Sequence, residues 1–165
     1  MKNWKHSDEY VLPIKPSPNL PNQQSILLYP SVCFFEGTAL SLGRGTEMPF
    51  QVLGHPDLKN QPFSFTPVDI PGMAIDPPLE GKLCHGVDLR NVKVEKRVDL
   101  SYLITMYKAF PDKEKFFVDH FARWAGSQDL AQQIKKGMTE EQIRATWQAD
   151  LGKYKAMRKK YLLYE

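Results

Sequence analysis

The sequence predicts an α+β fold: a small sheet with a Pro-rich, extended N-terminal half, followed by a helical C-terminal half. Three observations predict it. Twelve of the 13 prolines fall between residues 13 and 78, and only Pro111 lies beyond. Proline fixes φ and removes a backbone donor, so that half favours turns, short strands and extended segments. Short apolar–polar alternations stand within or just after it, around 49–53 and 87–94. Beyond residue 98, apolar residues recur at helical spacing behind recognisable caps.

Residues 13–21 read as an extended, polyproline-like segment, because the residue before each proline is pushed out of the helical region. Residues 26–35 are a dense apolar run broken by Pro30. The run fits a buried strand, or a short helix opened by Pro30 in its first turn and closed by Gly37, and periodicity does not decide between them. Gly43-Arg44-Gly45 is a loop. Residues 49–53 read as a strand and 54–64 as a loop. Val87 and Leu89, then Val92 and Val94, suggest strands shifted in phase by a break near Asn91.

The helices are clearer. Asp99 can cap one that places Leu100, Leu103, Ile104 and Tyr107 on a single face and ends before Pro111. Phe116, Phe117, Phe121 and Trp124 suggest a short one. Ser127 can cap a third, with Leu130, Ala131 and Ile134 on its apolar face and Gly137 just past its end. Thr139 and Gln142 form a capping box for a fourth, along which Ile143, Trp147, Leu151, Tyr154, Met157 and Tyr161 recur.

Composition narrows the function classes. The chain has 165 residues, 42% hydrophobic and 25% charged, which suits one globular domain and excludes a disordered tail, a collagen-like repeat or a coiled coil. No apolar stretch approaches the roughly 20 residues of a membrane span. Net charge is +3, and residues 150–165 carry all of the excess. Such a cluster reads as a solvated helix face near a C-terminus, where the dipole favours cations. A nucleic-acid protein would carry a broader basic stripe, so no nucleic-acid partner is expected. Cys33 and Cys84 stand in apolar company and read as buried free thiols. Residues 1–20 are polar and Pro-rich, without the apolar core of a signal peptide.

The densest polar information lies in residues 35–46. Glu36 follows an apolar run, so it is partly buried and needs a partner. Arg44, between two glycines, is the natural one: it serves either as a fixed hydrogen-bond fork facing a ligand or as an internal ion pair that pins the loop. Gly43-x-Gly45 lacks the third glycine of a dinucleotide fingerprint, since Met48 stands there. No serine sits in a Gly-x-Ser-x-Gly elbow. His6, His55, His85 and His120 show no metal-ligand spacing. His55, in a turn after a strand, is the best placed of them for function. No cofactor or metal is expected.

At these residues the chain resembles a known family. Lys15-Pro16-Ser17-Pro18-Asn19-Leu20-Pro21, Tyr29-Pro30, Phe35-Glu36-Gly37-Thr38, Gly43-Arg44-Gly45-Thr46 with Pro49-Phe50, Gly54-His55-Pro56, Cys84-His85-Gly86-Val87 and the closing Arg158-Lys159-Lys160-Tyr161-Leu162-Leu163-Tyr164 together are similar to the C-terminal domain of the NamZ family of exo-β-N-acetylmuramidases. The resemblance runs over nearly the whole chain. Ala39 and Leu42 depart from the family's usual Asn and acidic residue.

The resemblance implies a single C-terminal domain over residues 1–165. It also implies a Rossmann-like catalytic domain supplied in cis or in trans, a periplasmic or secreted location, and a peptidoglycan-derived glycan as partner. The implied enzyme releases N-acetylmuramic acid from non-reducing ends, and this part alone is expected to be inactive or nearly so. Carried over residue by residue, Ser17, Asn19, Glu36, Thr38, Arg44 and Thr46, with His55 beside them, become candidates for lining a sugar cleft. The alternative is a stand-alone glycan-binding module, with Trp4, Tyr10 or Tyr29 as aromatic platform, or a subunit-docking module recognised by an exposed apolar patch.

Overall fold

The structure, a computed structural model, describes Asp8 and residues 10–162. Trp4, His6, Leu163 and Tyr164 lie outside the described residues.

The fold is α+β, with a small open sheet and a helical region. In chain order come α1 (Gln23–Val32), a 3-10 turn (Cys33–Gly37), β1 (Val52–His55), β2 (Phe63–Phe65), β3 (Cys84–Asp88), α2 (Ser101–Ala109), α3 (Lys113–Phe116), α4 (Ala122–Ala125), α5 (Asp129–Lys135) and α6 (Glu140–Arg158). The sheet order is β1-β3-β2, antiparallel throughout. β1 registers on β3 as Val52↔Asp88, Leu53↔Val87, Gly54↔Gly86 and His55↔His85.

The first half is less extended than its prolines suggest. Residues 23–32 form a helix, capped by Asn22: the Asn22 side chain accepts from Ser25 N–H at 2.9 Å. Pro30 therefore lies inside α1 rather than opening it. It is tolerated in the last turn because only one ladder bond is lost there before the chain tightens into the 3-10 turn, which Gly37 ends.

The predicted strand at 49–53 is displaced to 52–55. Phe50 sits at φ 59° and Gln51 N–H turns back to Met48 O at 3.1 Å, so the extended segment starts only afterwards. The expected loop at 54–64 gives up its two ends to β1 and β2. Residues 92–94 form no strand. Gln24 Nε2 donates to the carbonyls of Leu89 and Val92, both at 2.9 Å, and so occupies acceptors that a neighbouring strand would need.

The helical half follows its signals. The expected caps of α2 and α5 stand one residue early: Asp99 Oδ1 accepts from Ser101 N–H at 2.8 Å and Ser127 Oγ from Asp129 N–H at 2.9 Å, while the N-caps are Leu100 and Gln128, without a side-chain cap. Thr139 and Gln142 close the capping box on α6. The phenylalanine-rich segment splits into α3 and α4. Lys113 Nζ closes the end of α2 by donating to the carbonyls of Tyr107, Lys108 and Phe110.

The main core joins Leu28, Val32 and Phe35 to Leu103, Phe116 and Ile143, all inaccessible to solvent. Alternation along β1 places Leu53 in this core and Val52 in a smaller cluster with Phe65 and Cys84. Both cysteines are free; Cys84 is buried, Cys33 half-buried. Burial pushes the Cys84 thiol up to about 11, so it is an inert core group.

α6 behaves differently along its length. Ile143 is buried and Trp147 packs on the core. Arg144 binds Glu140 at 2.7 Å, donates to Val98 O and lies over the Trp147 ring. From residue 148 to 162 every residue is exposed. The last 11 residues of the helix thus project about 16 Å from the body. Leu151, Tyr154, Met157 and, beyond the helix, Tyr161 continue its apolar stripe as exposed side chains beside the basic cluster, with Lys160 Nζ over the Tyr161 ring.

Candidate functional site

The site forms where the 3-10 turn meets the Gly43–Thr46 loop. Glu36 comes from the turn, which the chain enters directly from α1. Arg44 comes from a tight turn in which Thr46 Oγ1 donates to Gly43 O at 2.7 Å and accepts from Met48 N–H at 3.0 Å. Gly43 and Gly45 both hold positive φ, 85° and 78°. A Cβ on Gly45 would stand 2.6 Å from Val68 O, and Val68 N–H donates to Gly45 O at 2.8 Å, so the loop is clasped from outside as well.

Arg44 reaches Glu36 with two donors. Nε at 3.1 Å and Nη2 at 2.5 Å both converge on Oε1, which leaves Oε2 and Nη1 outside the pair. The Glu36 side chain is 14% exposed and that of Arg44 33%. The guanidinium lies 5.1 Å from the centroid of Phe50, and Tyr29 packs on the same phenylalanine at 5.0 Å. Burial, and then the nearby Cys33 and Glu36, raise the Tyr29 hydroxyl above its ordinary value, which marks it as a neighbour of the site.

A pocket of about 180 Å³ opens on this pair. Phe35, Glu36, Thr38 and Arg44 are among its lining residues. Leu40, Ser41, Leu42, Pro78 and Trp124 complete the lining. That volume is below the roughly 300 Å³ at which ligand pockets usually begin.

The structure thus brings together Glu36, Thr38 and Arg44. Thr38 has its hydroxyl committed, donating to Phe35 O at 2.9 Å and accepting from Leu40 N–H at 3.2 Å, so it shapes the wall. Ser17, Asn19, Thr46 and His55 are not among the lining residues. Ser17 Oγ accepts from Asn19 N–H, and Asn19 Nδ2 donates to Met73 O at 2.7 Å while its Oδ1 is buried without a partner among the described residues. Thr46 holds the Gly43 turn.

His55 ends β1. Its ring meets Phe110 edge-on at 4.9 Å, and its Nδ1 accepts from Asp57 N–H at 3.1 Å. An accepting Nδ1 is unprotonated, so the Asp57 carboxylate 3.5 Å away is a neighbour and not an ion-pair partner. Burial lowers the His55 pKa below 6.5, against the pull of Asp57. The unfolded chain then binds the proton more readily than the folded one, so stability is full above 6.5 and falls as pH drops through that value. An NMR titration of the His55 ring should give a midpoint below that of an exposed histidine; a midpoint above 6.5 would contradict this placement.

Sequence reasoning missed Pro78 and Trp124. Pro78 lies in a loop far along the chain, without a local signal. Trp124 was read only as part of a short aromatic helix, and it is 42% exposed. Among the described residues, no three His, Cys, Asp or Glu side chains group as metal ligands. No helix of the described residues is long and apolar enough to cross a membrane.

Comparison with known proteins supplies the lineage of this arrangement. Peptidoglycan β-N-acetylmuramidase NamZ of Bacillus subtilis is 32% identical over 99% of this chain, which covers 44% of that protein. A crystal structure of a DUF1343 family protein from Bacteroides fragilis overlays with a TM-score of 0.92 at 46% identity, over 99% of this chain and 47% of that one. A second protein of that description from the same organism shares the fold alone, with a TM-score of 0.71 at 19% identity, over 98% of this chain and 49% of its own. The chain spans a little under half the length of these relatives. The family described as exo-β-N-acetylmuramidase NamZ, C-terminal, matches residues 27–164, a stretch that holds the Glu36–Arg44 pocket and the whole of α6, and the chain belongs to that family.

Proposed function

We propose that this chain forms the substrate-binding part of a peptidoglycan exo-β-N-acetylmuramidase that releases N-acetylmuramic acid from non-reducing ends in the periplasm or outside the cell. The catalytic carboxylates lie on a Rossmann-like domain that joins it in cis or in trans. The observation that carries this reading is the Glu36–Arg44 pair at the pocket. Muramic acid differs from glucosamine by a lactyl carboxylate. Nη1 of Arg44, left out of the ion pair, can donate to that carboxylate, and a fixed guanidinium is well suited to it. Oε2 of Glu36 is an acceptor for a sugar hydroxyl or acetamide N–H. Taken alone, the chain binds glycan ends without cleaving them. Equilibrium binding of peptidoglycan fragments tests this: fragments ending in N-acetylmuramic acid should bind more tightly than those ending in N-acetylglucosamine, and equal binding counts against the reading.

A docking role complements this one, and the outer part of α6 favours it. An 11-residue stretch of helix is marginal in water without packing, and here it carries a row of exposed apolar side chains. The chain as a whole overlays on a solved relative about twice as long. The remaining half of such a protein is the natural cover for this stripe. With the stripe uncovered, the isolated chain should self-associate at high concentration. The combined change Leu151→Gln, Tyr154→Gln, Met157→Gln should make it monomeric in sedimentation equilibrium with little change in melting temperature. A wild-type chain that stays monomeric counts against the docking role.

A further inference from the structure

We propose that Trp124 is the stacking platform on which the sugar ring sits in the Glu36–Arg44 pocket, and so a specificity-determining residue for pyranose ligands. The inference rests on the glycan reading above and deepens it.

Trp124 ends a segment whose other large aromatics are used as core: Phe116 is inaccessible and Phe121 is 3% exposed. Trp124 instead remains 42% exposed and contributes to the pocket wall. Its place is built from both sides. On one side the segment is tied to the 3-10 turn, since Ala39 N–H donates to Phe116 O at 2.9 Å and Val118 N–H to Gly37 O at 3.1 Å. On the other, the absence of a side chain at Gly37 admits the indole: a Cβ there would stand 2.6 Å from Trp124 Cδ1 and 2.8 Å from Phe121 Cδ2. The indole is thus laid against the backbone of the very turn that carries Glu36.

The combination selects a ligand class. An exposed indole lining the same pocket as a fixed pair of charged groups matches a molecule with one apolar face and a polar rim. A pyranose has that form: its axial C–H bonds present an apolar face to the ring, while hydroxyls and the acetamide group project at the edge. A small anion would use Arg44 alone and would not need the indole. The platform holds the ring common to muramic acid and glucosamine, and Arg44 reads the substituent that differs between them.

The test is a titration of the wild-type chain and of each variant with N-acetylglucosamine and with N-acetylmuramic acid, following the backbone amide resonances of residues 36–46; in the wild type and Arg44→Lys the Trp124 indole N–H resonance, assigned by its loss in Trp124→Phe, should shift as well. A weak site for a single sugar is expected, with affinity of about 1 mM for the better ligand. Trp124→Ala should weaken both sugars by about tenfold and to a similar degree. Trp124→Phe, which keeps an aromatic face, should restore most of the binding, and Arg44→Lys should weaken N-acetylmuramic acid alone. Trp124 is half-exposed, so its variants should melt close to the wild type, which separates lost binding from lost folding. If Trp124→Ala binds both sugars like the wild type while Arg44→Lys still loses N-acetylmuramic acid, the platform is wrong and the glycan reading stands. If the wild type binds neither sugar, the glycan reading falls and the platform falls with it.

Discussion

Gly86→Ala should lower the melting temperature by about 10–15 °C, or prevent folding. Gly86 lies opposite Gly54 where β1 pairs with β3. A Cβ on Gly86 would stand 1.7 Å from Leu53 O and 2.7 Å from Gly54 Cα. Both are backbone atoms of the paired strand, so no side-chain rotation relieves the clash. β1 would have to leave β3, and with it Leu53 would leave the core and the Ser41–Gly54 bridge would open. A loss above about 4 kcal/mol is expected, a large part of the 5–15 kcal/mol that stabilises a domain. For a chain of this size that converts to the stated shift. Gly152→Ala is the matched control. Its Cβ meets open space within α6, so the helix should gain up to about 1 kcal/mol. An unaltered melting curve for Gly86→Ala would contradict the Gly54↔Gly86 register.

Arg44→Met should cost about 2 kcal/mol of stability and remove the preference for N-acetylmuramic acid. The Glu36 carboxylate is 14% exposed, and without Arg44 it loses both donors on Oε1. Removing one partner of a fully buried pair costs about 3–5 kcal/mol. The partial exposure of Arg44, at 33%, brings the figure down, because water takes part of the charge. Glu36→Gln in the Arg44→Met background should recover part of the loss, since the uncompensated charge is gone. Denaturant melts of the two single variants and the double variant give the coupling; additive losses would mean that the pair is not an energetic unit.

The legibility of this fold varies with how local its determinants are. The cap of α6 is written within four residues of the helix start, and Thr139 acts as its spacing predicts, whereas Ser127 falls one residue before the N-cap of α5. α1 was ambiguous because Pro30 dominates its local pattern, while the cap that starts it, Asn22 with Ser25, lies before the apolar run. The 92–94 segment alternates like a strand, but a distant glutamine side chain takes its neighbouring carbonyls. Phe50 at positive φ moved β1 by three residues, and a bulky residue in that region gives no sequence signal.

The site divides in the same way. Glu36 and Arg44 were visible as a pair because a carboxylate after an apolar run demands a partner close by, and the loop supplies one eight residues later. Trp124 was not visible, because its role depends on Gly37, 87 residues upstream, leaving room for the indole. The apolar stripe of α6 was legible in full, but its spacing alone did not reveal that only Ile143 and Trp147 reach the core.

Isothermal titration of the wild-type chain and Arg44→Lys with N-acetylmuramic acid and N-acetylglucosamine addresses the central claim most directly. The wild type should bind N-acetylmuramic acid more tightly, and Arg44→Lys should weaken that sugar while leaving N-acetylglucosamine nearly unchanged. Equal losses on both sugars, or no preference in the wild type, would contradict the assignment of Arg44 to the lactyl carboxylate and leave the Glu36–Arg44 pair as a structural clasp.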